Sequence, residues 1–290
     1  MRSLKKPMLL AAAVAAARPA SANIGYGAYA KLYERLSSGA TAPALEDELP
    51  GLAKNLKAAE KISETYWTDS TIFDELAKDY ILPDKVLDGL GIRREKTGGV
   101  VHVPAGMMHT YGYLFSQLKT AYGLKGKRWI ESRVDERLGL PAGMFSPVPP
   151  KGEFASNVTT VFLSLSGGTA SIPTAAKLKP KAEAAGFVEQ KVEWRRPDGK
   201  TEKARVFTHL VPLKPLEGFD SPDAYLLIYS VVSRGRRRLV TGFPVEAKFA
   251  ESIMKTPAGA APSFNPRFNF YVDPAWQVVS QETKGWQPEK

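Results

Sequence analysis

Cysteine is absent from all 290 residues, so a disulfide, a thiolate metal site and a thiol nucleophile are excluded together. Histidine is scarce: His102, His109 and His209 are the only three, and any imidazole chemistry must use one of them. Several signatures of reaction type are missing as well. There is no G-x-S-x-G elbow and no H-E-x-x-H, which leaves a serine hydrolase or a zinc peptidase unsupported. The glycine-rich run Ser164-Leu165-Ser166-Gly167-Gly168-Thr169 lacks both the lysine of a P-loop and the third glycine of a dinucleotide fingerprint. Beyond the first 22 residues no apolar run approaches the roughly 20 residues that cross a bilayer.

What is present begins with a leader. Residues 1–22 carry a basic start (Arg2, Lys5, Lys6), an apolar stretch from Met8 to Ala17 and the small-residue sequence Ala20-Ser21-Ala22, the three parts of a cleavable secretory signal in their proper order. Cleavage after Ala22 would leave Asn23 as the mature N-terminus and a periplasmic or secreted protein. The leader holds four basic residues and no acid, so its removal lowers the formal net charge from +10 to +6. That surplus is mild for the length and far from the dense basic face that nucleic-acid binding requires, so no nucleic acid is expected as a partner. Hydrophobic residues at 43% and aromatics at 10% supply enough apolar surface for a substantial core.

Periodicity divides the rest. From Tyr26 to Leu90 the pattern is helical, with Ala28, Leu32 and Leu36 on one stripe and Leu52, Leu56 and Ala59 on another. A third helix is expected from an N-cap at Asp69 or Ser70 through Leu76, and Pro83 ends it or opens another. Gly98 to Gly106 reads as a strand and turn, Met107 to Ala121 as an aromatic helix, and Trp129 to Leu138 as a charged helix. The proline-rich stretch SPVPPKG, residues 146–152, is a break. Beyond it the signal is mostly β: a strand over Val158–Leu165, a short helix ending at Gly186, and a hairpin turning at Pro197-Asp198-Gly199-Lys200. A second hairpin pairs Tyr225–Val232 with Leu239–Val245, and a last strand is expected over Arg267–Val272. The fold class predicted is α+β, in which a helical part (residues 23–150) packs on a mainly antiparallel sheet (151–290).

Candidate chemistry gathers in the middle. The run GGVVHVPAGMMHTYGY, with Gly98, Pro104, Gly106 and His109, resembles the second conserved motif of cupins, and that resemblance implies His109 as a ligand of a divalent metal. The cupins' first motif, which is histidine-rich, has no counterpart upstream, and Tyr113 stands where asparagine would close the second. Read from residue types alone, His102, His109 and Glu131 are candidate acid–base groups, with His102 and His109 the ligands if a metal is held. Tyr111, Arg128 and Arg133 are candidates to bind a small polar or anionic molecule, since guanidinium forks onto carboxylate or phosphate. The same charges also read as a solvated helix face with ion pairs between turns. His209 falls in phase with Lys203 and Arg205 and is expected at a solvated surface. The densest basic run, Arg236, Arg237 and Arg238, sits at a hairpin tip and is a candidate polyanion surface, or a charged end that keeps a sheet soluble. Two functions follow as expectations: an exported enzyme acting on a small polar or anionic molecule, or a non-catalytic envelope protein that binds a polyanion or protein through its basic surface.

Overall fold

The computed structural model describes residues 26–74, 77–120, 123–146, 154–175, 177–261 and 271–289. The expected leader and most of the proline-rich break lie outside these residues. Two helices open the fold, α1 (Tyr26–Ser37) and α2 (Leu52–Tyr66), and each buries the stripe that its sequence spacing marks, Leu32 and Leu36 in one, Leu52, Leu56 and Ala59 in the other. The Glu46 carboxylate accepts hydrogen bonds from the backbone N–H of Gly51 (2.6 Å) and Ala53 (2.7 Å), which satisfies donors that α2 would leave unpaired at its start.

The expected third helix is replaced by strands. β1 (Asp69–Thr71) is followed by the small hairpin β2 (Phe73–Asp74) and β3 (Asp79–Tyr80), and only after Pro83 does the chain return to helix as α3 (Asp84–Leu90). β4 (Glu95–Thr97) and β5 (Val100–Pro104) turn at Gly98-Gly99, both glycines in the left-handed region, and an antiparallel sheet forms in the order β1-β5-β4. β1 therefore finds a partner more than thirty residues downstream, which outweighs the local capping signal at Asp69 and Ser70.

From Ala105 the chain is helical without interruption to Phe115, as α4 (Ala105–Met107), a π-helical turn over Met108–Gly112 and α5 (Tyr113–Phe115). A two-stranded ribbon, β6 (Lys119–Thr120) and β7 (Gly123–Leu124), leads to α6 (Lys125–Glu131) and α7 (Val134–Arg137). The charged helix expected over Trp129–Leu138 is thus two pieces, broken where Arg133 adopts a left-handed backbone (φ 46°).

The run expected as a strand over Val158–Leu165 is a helix, α8 (Phe154–Leu165), in which every residue but Ser164 is buried. A segment apolar on all sides carries no amphipathic period, so its β-branched content alone points to the wrong element. The short helix expected before Gly186 is mostly irregular chain, with a single 3₁₀ turn at Pro173–Ala175.

The C-terminal sheet has five antiparallel strands, β8 (Gly186–Arg195), β9 (Thr201–Pro212), β10 (Asp223–Ser233), β11 (Arg236–Glu246) and β12 (Gln277–Pro288), in the order β11-β10-β9-β8-β12, with α9 (Ala247–Met254) between the last two in sequence. Both expected hairpins are formed. The expected last strand, Arg267–Val272, falls mainly outside the described residues, its final two positions are irregular, and the closing strand is β12.

In β11 the pairing shifts between Tyr229↔Thr241 and Ser230↔Leu239, so Val240 is an extra residue, a β-bulge. One face of the sheet carries Val211, Leu226, Ile228 and Leu239 into the core shared with α1, α2, α3 and α8; the other, with Val206, Leu210, Leu227 and Val231, is covered by Ala250 and Ile253 of α9. The two parts are also stitched by backbone: Trp67 bridges Leu239 in parallel, and Thr68 N–H donates to Leu239 O at 2.9 Å. No helix among the described residues is long and apolar enough to cross a membrane.

Candidate functional site

The pairing of β1 with β5 sets Thr71 opposite His102, and β4 sets Glu95 opposite it on the other side. Side chains two residues apart on a strand share a face, so Asp69 lies diagonal to His102, and its Oδ2 comes within 3.7 Å of Nδ1. The imidazole is 4% exposed, and its Nε2 has no hydrogen-bond partner among the described residues. Tyr271 stacks on it, ring centroids 3.9 Å apart and planes 11° from parallel, anchored by its own backbone N–H donating to Asp69 O at 2.9 Å. The Tyr271 hydroxyl is likewise buried and unpartnered among the described residues.

The electrostatics of this cluster follow from the same strands. Burial lifts the Asp69 carboxyl above the usual carboxylate range, while His102, Arg93 and Arg238 pull it down and Glu95 pushes it up. Arg238 comes near enough to act on Asp69 because the residue next to it, Leu239, pairs with Trp67 and Thr68. A carboxylate, a buried imidazole with one unengaged edge, a phenol and two guanidiniums thus share one small sheet and the strand edge beside it.

The other residues singled out by sequence lie in different company. Arg128 pairs with Asp223, whose side chain is 3% exposed and also accepts from Ser132 Oγ at 2.6 Å, an ion pair that ties α6 to the start of β10. Arg133 donates from Nε to Glu136 Oε1 at 2.7 Å and edges a hollow of about 50 Å³ with Trp129, Asp135 and Phe145. Glu131 is exposed and lies 3.9 Å from Lys127 one turn earlier. Tyr111 is fully buried with its ring edge-on to Phe154, 5.6 Å between centroids. His109 sits within the π-helical turn, on helical backbone, whereas the cupin motif calls for a strand at this position; its side chain lies outside the described residues. Among the described residues, Asp69 and Tyr271 engage His102, whereas Asp223, Glu136 and Lys127 engage Arg128, Arg133 and Glu131. Among the described residues no group of three His, Asp or Glu side chains is placed to hold a metal ion.

The basic run is distributed by the pleat. Arg236 and Arg238 are exposed, while Arg237, on the opposite face of β11, is half-buried and donates from Nη1 to Ser230 Oγ at 2.7 Å. Arg234 at the turn pairs with Glu202. His209, expected at a solvated surface, is 3% exposed: its strand phase matches Lys203 and Arg205, but at its level Phe187, Phe207 and Ile228 close over that face. A hollow of about 510 Å³ lies further along the same face, between Lys191, Glu193, Lys203, Arg205, Arg234 and Glu282. Its charges are mutually paired, Lys203 with Glu193 at 3.1 Å and Lys191 with Glu282 at 3.9 Å. Sequence reasoning missed Asp69, Tyr271 and Asp223, because each acquires its role from a partner 30 to 170 residues away.

Comparison with known proteins finds no match: no family model, no curated protein and no solved structure aligns with this chain.

Proposed function

We propose that the protein is an exported enzyme, periplasmic or secreted, that acts on a small polar or anionic molecule with His102 as the group that moves a proton. The observation that carries this reading is the buried imidazole of His102, one edge on Asp69 and the other without a partner among the described residues. In this arrangement Nε2 takes a proton from substrate, and Asp69 steadies the imidazolium through Nδ1. Arg238 and Arg93 supply positive charge next to Asp69 for an anionic substrate. Tyr271 stacks on the face of the ring and fixes its plane, which leaves the Nε2 edge to substrate. Export rests on the leader, and Asn23 is the expected first residue of the processed protein. The alternation of Arg236, Arg237 and Arg238 across β11 weighs against a single polyanion patch at the tip and in favour of Arg238 as part of the His102 cluster.

The test is turnover by the processed protein against panels of phosphoesters, carboxylic esters, lactones and glycosides. For any substrate found, H102N should lower kcat by roughly 100-fold or more, the contribution typical of a positioned acid–base group. D69N should lower it as well, and R236Q should leave it unchanged. An H102N variant that is folded and as active as the parent would overturn the assignment.

A further inference from the structure

On the opposite face of β11 from Arg238, a guanidinium lies half-buried with only a neutral hydrogen-bond partner assigned to it. Arg237 reaches across Ser230 to the Phe207 ring, its Cζ 4.3 Å from the centroid, and Nη1 donates to Ser230 Oγ. Its aliphatic stem packs on the turn after α8, where a Cβ at Gly168 would stand 3.0 Å from Arg237 Cδ. Arg205 approaches the same ring at 5.0 Å but is already neutralised, its Nε donating to Glu189 Oε1 at 2.6 Å. Next to Phe207 on the same face of β9, His209 is buried, and its Nδ1 has no partner among the described residues. A partly desolvated cation without a counter-ion in contact is costly, and guanidinium is the side chain best shaped to take two oxygens at once.

We infer that Arg237 and His209 form a binding site for a small oxyanion, a carboxylate or a phosphate, held by the fork of Arg237 with one oxygen shared with the His209 ring. The site is distinct from the His102 cluster and does not depend on it. Charge coupling follows from the neighbours. Burial first, and then Arg237, hold the His209 imidazole neutral down to about pH 3. An anion on Arg237 cancels only the second of these effects, so near neutral pH the ring stays neutral and meets the anion as an N–H donor from Nδ1. The other charged groups facing the pair are Arg205 on β9, Glu189 on β8, and Glu289 just beyond β12, which itself lies near Glu183. Glu289 is the acid of this chain that competes for Arg237.

The experiment is calorimetric titration of the processed protein with acetate, inorganic phosphate and sulfate at constant ionic strength and pH 6. Saturable binding of at least one oxyanion is expected, weakened roughly tenfold in R237K, which keeps the charge and loses the fork. R236K should bind as the parent does. H209L, which removes the ring N–H donor, should weaken binding as well. Which anion binds more tightly decides between carboxylate and phosphate. Heat that does not saturate, or equal affinity in the parent and R237K, is adventitious ion binding only and overturns the site; a folded H209L variant that binds as tightly as the parent removes His209 from it.

Discussion

Lowering the pH from 7 to 4 should destabilise the fold through His209. In the folded protein its imidazole resists protonation until about pH 3, because it is buried and because Arg237 lies beside it. In the unfolded chain it titrates near 6.5. Between these values the unfolded state binds one proton more than the folded state, so the contribution is complete above about pH 6.5 and is lost as the pH falls toward 3. One proton corresponds to ~1.4 kcal/mol per pH unit, which gives a loss of roughly 3 kcal/mol at pH 4, a sizeable part of the 5–15 kcal/mol typical of a folded protein. The half-exposed Asp69 and the buried Asp135 act in the opposite sense, since desolvation raises both carboxyls and the folded state then takes up their protons before the unfolded chain does as the solution is acidified. The informative quantity is therefore the difference between parent and H209N, measured by urea unfolding followed through tryptophan fluorescence at half-unit steps of pH. H209N should be less stable at pH 7 and lose stability less steeply below 6.5. Parallel curves for the two proteins from pH 6.5 to 4 would refute the assignment of a buried, neutral imidazole.

Other perturbations test the packing that positions the sites. D223A removes the carboxylate that engages both Arg128 and Ser132 in a largely buried setting; a loss of roughly 3–5 kcal/mol is expected, read as a lower urea midpoint with little change in slope. G242A places a methyl against the Phe162 ring where α8 lies on β11, and overpacking of about 1–3 kcal/mol should lower the melting temperature. Y271A uncovers the His102 ring, and modification of that imidazole by diethylpyrocarbonate should become faster while His209 stays protected.

Much of the architecture is legible in the sequence wherever one period dominates. Leu32 and Leu36, Leu52 and Leu56, and the alternation on either side of Pro197-Asp198-Gly199-Lys200 each announce their element, because one face is buried and the other is wet. The reading fails where that contrast is missing. Phe154–Leu165 is buried all round and its β-branched residues mislead; Asp69-Ser70-Thr71 offers a helix cap that pairing with β5 overrides. β12 was hidden for the opposite reason: most of its side chains are exposed, so it shows no apolar alternation. Of the candidate site, His102 was legible as a rare residue type on a strand. Its partners were not, because Asp69 reaches it through strand register and Tyr271 through a return of the chain from 169 residues further on.

Val240 has a consequence out of proportion to one inserted residue. It sets the phase of the pleat for everything before it in β11, and so decides that Arg238 looks toward Asp69 while Arg237 looks toward Phe207. Were Val240 taken into regular pairing instead, Leu239 would stand opposite Val231 and Arg238 opposite Val232 in Arg237's place, so one unpaired residue decides which arginine serves which side of the sheet.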